Sequence, residues 1–94
     1  MLDSLNDGAA MIGERLRILL AGDKTFKFFP DLGNEASLFE SGVIDSFGMI
    51  ALVIQIEGEF GIKVRPEEAT AQNFRSISSI ARLVEAKTDE RHRD

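Results

Sequence analysis

Apolar residues return at alternating intervals of three and four along the first part of the chain. Leu2, Leu5, Ala9, Ile12, Leu16 and Leu19 make one face of an amphipathic α-helix. Ser4 with Asp7 three residues on fits a capping pair, and Gly22 fits a stop. Gly8 and Gly13 fall on the polar side of this pattern, where each weakens the helix by up to ~1 kcal/mol. Packing must therefore hold it. The repeat does not continue past Gly22, which argues against a coiled coil.

From residue 23 to 45 the periodicity is lost, and Pro30, Gly33, Asn34 and Gly42 punctuate the chain. A connection longer than ~20 residues is uncommon in a compact domain unless it is functional or packed by its own side chains. This one carries Phe26, Phe28, Phe29, Leu32, Leu38, Phe39, Val43 and Ile44, so several of them have to be buried. The expectation is an ordered loop that covers one end of a helical bundle and delivers Ser46 to the surface.

Residues 46–60 predict a second helix that is apolar on two faces. At 100° per residue, Met49, Leu52, Val53, Ile56 and Phe60 form one stripe; Phe47, Ile50, Ala51, Ile54 and Gly58 form another about 140° away. Gly48 falls beside that outer stripe. A helix that is apolar nearly all round is either fully buried or binds a partner. Complete burial is difficult in so small a chain, so part of the second stripe is expected to be exposed unless the loop phenylalanines cover it. Beyond a short extended link, residues 66–71 start with Pro66 followed by Glu67 and Glu68, the signature of a short helix. Ser76 then caps a last helix with Ile77, Ile80, Ala81, Leu83 and Val84 on its apolar side, and residues 87–94 read as a frayed charged tail. The architecture expected is all-α: a small four-helix bundle, three longer helices plus one short one, in a single domain over 1–94, with a long ordered loop between the first two helices.

Composition narrows the function classes. The chain of 94 residues has no cysteine and a net charge of −5, which removes disulfides, thiolate metal sites and a cysteine nucleophile. No apolar run approaches the ~20 residues of a membrane span, and the first residues show no secretory signal; a cytoplasmic location is the default. Between Asp31 and Glu68 stand eight acids against two bases. An acidic surface disfavours nucleic acid and favours partners with basic patches.

Little intrinsic catalysis is supported. The only histidine, His92, sits in the charged terminus, a poor place to hold an imidazole beside a serine. Ile44-Asp45-Ser46-Phe47-Gly48 is not a Gly-x-Ser-x-Gly elbow, and no phosphate-cradling glycine loop, calcium loop or metal-ligand set is present. Asp45-Ser46 at a helix start has a plain explanation as a cap. It also presents a hydroxyl where the partial positive charge and free N–H groups of a helix stabilise a phosphodiester.

The residues around that serine decide between the two. Leu38-Phe39-Glu40-Ser41-Gly42, Asp45-Ser46, Glu57-Gly58-Glu59-Phe60-Gly61-Ile62, Pro66-Glu67-Glu68-Ala69 and Asn73-Phe74-Arg75-Ser76-Ile77, in this order, resemble the acyl carrier and peptidyl carrier proteins. The resemblance runs from about Leu5 to Val84. It implies that Ser46 receives 4′-phosphopantetheine from coenzyme A and that Asp45 helps to position a transferase's Mg²⁺. It further implies that the arm holds an acyl intermediate as a thioester, in fatty acid or polyketide biosynthesis, on a protein that is not itself an enzyme. The partners implied are a phosphopantetheinyl transferase, an adenylate-forming acyl ligase or acyltransferase, and a ketosynthase or other acyl-processing enzyme, acting on a monomer. Partner recognition falls to Asp45, Phe47, Gly48, Ile50, Ala51, Ile54, Glu57 and Gly58. An acyl-chain cavity falls to Phe39, Met49, Val53, Phe60, Ile62, Ala69 and Ile77.

The second helix departs from carriers of primary fatty-acid synthesis, which are acid-rich there, and is more similar to a specialised free-standing carrier. A D-alanyl, other aminoacyl or peptidyl carrier is the alternative, and an unmodified helical adaptor using Phe47, Ile50 and Ile54 a second one. The many Phe, Ile and Val residues favour an acyl cargo, because each buried CH₂ contributes about 0.8 kcal/mol and a polar aminoacyl group has no such reason to leave water.

Overall fold

The computed structural model describes residues 4–93, with the side chains of residues 8–89. Leu2, the side chains of Ser4, Leu5 and Asp7, and that of His92 lie outside this range, so the first capping pair and the terminal histidine do too. Three α-helices are present: α1 (Ser4–Gly22), α2 (Ser46–Phe60) and α3 (Ile77–Arg93). No strand occurs among the described residues.

The buried side of α1 contains Leu16 and Leu20, with Ile12 and Leu19 packed at its edges. Leu20 lies seven residues from Gly13 and so shares its face, which turns Gly13 inward. This corrects the expectation that both glycines are on the polar side. Gly13 is buried, and a methyl group there would stand 3.7 Å from Ile77 Cγ2; one at Gly8 would meet Glu85 Oε2 at 2.7 Å. Both glycines therefore face α3, the helix that α1 packs against directly.

The connection 23–45 is ordered by its own burial and by long-range hydrogen bonds. Phe26, Leu32, Leu38, Val43 and Ile44 join the core, Phe28 and Phe39 pack at its edge, and Phe29 remains 41% exposed. The Leu38 carbonyl accepts from the amides of Val43 (3.0 Å) and Ile44 (3.2 Å), while the Leu38 amide donates to Arg75 O at 2.6 Å. Ser78 N donates to Asn34 O at 2.9 Å. Arg17 of α1 reaches across the loop, with Nε donating to Asn34 Oδ1 at 3.0 Å, a further bond to Leu32 O, and its guanidinium 5.7 Å from the Phe28 ring centre. Satisfying backbone groups in this way is what permits a loop to be partly buried.

On α2, Leu52 and Ile56 are fully buried, each contributing about 1.5–3 kcal/mol by leaving water. Met49, Val53 and Phe60 are half-buried beside them. Gly61, at φ 65°, ψ 38°, ends the helix in the left-handed conformation and donates to Glu57 O at 3.0 Å, the usual glycine stop.

The expected fourth helix is only a 3₁₀ turn, Pro66–Glu68. The Glu68 carbonyl, which would accept from residue 72 in an α-helix, instead accepts from Thr70 N and Asn73 Nδ2, both at 2.9 Å. One α-type ring closes, with Ala69 N donating to Arg65 O at 3.2 Å as well as to Pro66 O at 3.2 Å, and the chain then turns away. Helix α3 starts with a reciprocal pair, Ser79 N donating to Ser76 Oγ at 3.1 Å and Ser76 N to Ser79 Oγ at 2.9 Å. It buries Ile77, Ile80, Ala81 and Val84. Helix α3 runs to Arg93, through most of the stretch expected to be a charged tail. Lys87, only 11% exposed, pairs with Glu68 Oε1 at 2.8 Å, and Thr88 Oγ1 donates to Val84 O at 2.9 Å; these bonds carry the helix past its last apolar residue. No helix among the described residues is long and apolar enough to cross a membrane.

Candidate functional site at the start of helix α2

The first turn of α2 separates the capping residue from the serine. Asp45 is extended at φ −124°, ψ −164°, and its Oδ1 accepts from Gly48 N at 2.8 Å. Its carbonyl accepts the first intrahelical bond, from Met49 N at 2.8 Å. Ser46, one residue on, is exposed, and its hydroxyl makes no hydrogen bond among the described residues. The amides of Ser46 and Phe47 come before the first intrahelical donor and belong to the free N–H groups of the helix start. No acid follows Asp45 within the first turn of α2, so apart from the Asp45 carboxylate no side chain of that turn opposes an anion at the positive end of the helix dipole. These features fit a phosphodiester on Ser46.

Gly48 is not part of the outward surface, contrary to expectation. It is buried, because a methyl group there would stand 3.2 Å from Ile44 Cβ and 3.3 Å from Asp45 Oδ1. The absent side chain lets the loop close against the helix and hold the cap.

The outer stripe of α2 is open. Phe47 is 84%, Ile50 57% and Ile54 62% exposed; Ala51 is half-buried and Gly58 exposed. The loop phenylalanines do not cover this face. Glu57, expected to recognise partners, accepts from Val64 N at 2.9 Å and anchors the link after the helix. Among the acids, Glu59 pairs with Arg15, Glu67 with Arg65, and Glu68 with Lys87 and Arg65. Asp31, Glu35, Glu40 and Asp45 are exposed and form no ion pair among the described residues. On α2, Glu57 likewise enters no ion pair among the described residues.

Of the residues expected to form an acyl-chain cavity, Ile62 and Ile77 lie in the core and Phe39, Met49, Val53 and Phe60 pack against it, while three of them line different surface depressions. Phe39 lines a depression of about 210 Å³ beside Asp45. Phe60 lines another, of about 310 Å³, with Met11 and Ile12, and Ile77 a third, of about 190 Å³, between α1 and α3. Met49, Val53 and Ala69 are half-buried and Ile62 buried, outside these depressions.

Sequence reasoning overlooked Asp23. Its carboxylate accepts from Thr25 N at 2.8 Å and from the Gln55 side chain of α2. The Thr25 amide above all, then the Thr25 side chain and Gln55, hold its acid below the ordinary range. Asp23 two residues before Thr25 is a recognisable signal for an Asx turn, whereas nothing local announces Gln55. Arg17 was overlooked too, and its loop partners are equally non-local.

A family model described as a phosphopantetheine attachment site matches residues 30–84. The D-alanyl carrier protein of Lactococcus lactis subsp. cremoris is 38% identical over 66 residues, which is 70% of this chain and 81% of that protein. The D-alanyl carrier protein of Lactococcus lactis subsp. lactis is 36% identical over the same shares. That of Streptococcus pyogenes serotype M1 is 33% identical over 51 residues, 54% of this chain and 65% of its own. The matched span contains most of the long loop, the open serine at the start of α2 and the first half of α3, so the chain belongs to the phosphopantetheine-binding carrier proteins, which bear a covalent 4′-phosphopantetheine and are carriers rather than enzymes.

Proposed function

We propose that Ser46 bears the arm and that the cargo is an aminoacyl group, with D-alanine the leading candidate. The observation that carries the attachment is the division of labour at the helix start. Asp45 supplies the cap, and the exposed Ser46 hydroxyl is left without an internal partner. A phosphodiester on Ser46 then lies at the free N–H groups of α2. When bound, the arm supplies the thiol that holds the cargo as a thioester, a group that this cysteine-free chain lacks. Asp45 keeps the hydroxyl turned to solvent, where a transferase and its Mg²⁺ can reach it.

Two findings favour the aminoacyl cargo over the acyl chain. The relatives are named for D-alanine, and Phe39, Phe60 and Ile77, three of the residues expected to enclose an alkyl chain, line three different depressions. A small polar group needs no enclosure, since it loses by leaving water. An adenylate-forming ligase specific for the amino acid is the loading partner. Phe47, Ile50 and Ile54 offer it an apolar contact face, and Asp31, Glu35 and Glu40 attract a basic rim.

The attachment is tested by intact mass after incubation with a broad-specificity phosphopantetheinyl transferase and coenzyme A. The wild-type chain gains one arm, mapped to Ser46, and Ser46→Ala remains folded and gains none. Modification that persists in this variant, or that maps to Ser41, overturns the assignment.

A further inference from the structure

Immediately before Ser46 the loop encloses a depression of about 210 Å³ lined by Thr25, Lys27, Phe39, Gly42, Val43, Ile44 and Asp45. Val43 and Ile44 are buried beneath it and Phe39 is half-buried at its side, while most of the surface it exposes is polar. Its walls are tied by backbone bonds: Lys27 N to Val43 O at 3.3 Å, Gly42 N to Phe39 O at 3.1 Å, and the Val43 and Ile44 amides to Leu38 O. Gly42, at φ +84°, leaves the rim clear, and nothing lies within 4 Å of where its side chain would begin. Lys27 is exposed and supplies the positive charge among the lining residues; its ammonium forms no ion pair among the described residues.

We propose that this depression seats the phosphate-proximal part of the arm, an inference that rests on attachment at Ser46. The arm begins with a phosphodiester, followed by a carbon bearing two methyl groups and then by amides. Lys27 suits the anion and offsets the Asp45 carboxylate, which is already engaged at the cap. The half-buried Phe39 ring suits the methyl groups, and the Thr25 hydroxyl with the otherwise polar lining suits the amides. At about 210 Å³ the space is smaller than the ~300–1,000 Å³ of sites that enclose a drug-sized ligand. It therefore takes the first portion of the arm and leaves the thioester end in water.

Tethering makes weak contacts sufficient. A group held by a short flexible link has an effective concentration on the order of millimolar, so contacts of that intrinsic strength fill the depression about half of the time. The depression beside Phe60, by contrast, is about 21 Å away along α2, fourteen residues at 1.5 Å each. Seating keeps the arm beside the acidic loop until a partner draws it out.

The experiment compares ¹⁵N-labelled apo and holo protein, the holo form made with transferase and coenzyme A and checked by mass. Backbone amides of Thr25, Lys27, Gly42 and Val43 are expected to shift together with those of the α2 start. Nuclear Overhauser contacts are expected between the Phe39 ring and the arm's methyl protons. In holo Lys27→Gln the ratio of seated to free arm is expected to fall about 1.5- to 5-fold, the range of one exposed charge pair. The loop shifts then retreat toward the apo positions while those at Ser46 and Phe47 persist. A fully modified protein with changes confined to residues 45–48 overturns the seat and leaves the attachment intact. Loop shifts unaltered in Lys27→Gln overturn it as drawn, with a cation on the phosphate. Absence of any mass gain is a different failure, that of attachment itself.

Discussion

The Asp45 carboxylate accepts the Gly48 amide at 2.8 Å, and this one bond releases the neighbouring hydroxyl from any structural duty. Gly48 completes the arrangement by letting Ile44 approach to where a methyl group would stand 3.2 Å away. Two roles of Asp45, capping and help to a transferase's metal ion, can be separated because asparagine caps about as well as aspartate while lacking the charge. Asp45→Ala is expected to lower the unfolding free energy by about 0.5–2 kcal/mol in urea denaturation, and Asp45→Asn to stay within a few tenths. Both variants are expected to accept the arm slowly, since neither offers a carboxylate to Mg²⁺. An asparagine variant with native stability and a native transfer rate would reduce Asp45 to a cap.

Among the elements, α3 is held from outside its apolar face. Glu68, on the 3₁₀ turn, accepts from Lys87 Nζ at 2.8 Å and from Arg65 N at 2.9 Å. The Lys87 hydrogen bond first, then the Arg65 amide, hold the Glu68 carboxyl below its ordinary value of 4.5. A folded state that releases this proton more readily than the unfolded one gains stability above the ordinary value and loses it as pH falls through the folded value. The melting temperature of the wild-type chain is therefore expected to exceed that of Glu68→Gln at pH 7, with the gap closing below pH 4.5. A gap independent of pH would show that the ion pair contributes nothing. The extent of α1, α2 and the start of α3 was legible because each has a local period and a local stop or cap. The burial of the loop phenylalanines followed from their number. What escaped notice is non-local: Gly13 set against Ile77, Arg17 across the loop, and Lys87 on Glu68 each need a partner many residues away. Lys87 and Thr88 were read as tail from apolar content alone, whereas a charge pair and a side-chain hydrogen bond tie them to the fold.

At the scale of the whole molecule, the distribution of depressions bears on what the carrier holds. Composition favoured an alkyl chain slipping between helices, because the chain is rich in Phe, Ile and Val. Those side chains are already engaged with one another: Phe26, Leu38, Val43, Leu52, Phe74 and Ile80 close a single core, and the depressions beside Phe39, Phe60 and Ile77 share no lining residue. To admit a chain the helices would have to part, exposing core surface at a cost of about 25 cal/mol per Å², while the chain would repay about 0.8 kcal/mol for each CH₂ enclosed. The packing of Gly13 on Ile77 and the Glu68–Lys87 bridge oppose that separation. Loading the holo protein with acyl groups from acetyl to octanoyl is accordingly expected to give a flat series of melting temperatures, with D-alanyl on the same line. The aminoacyl reading requires that flatness, because a group that stays in water adds nothing to the core. A melting temperature that climbs with chain length and then levels off would mean that the helices do part around the cargo, and would return the assignment to an acyl carrier.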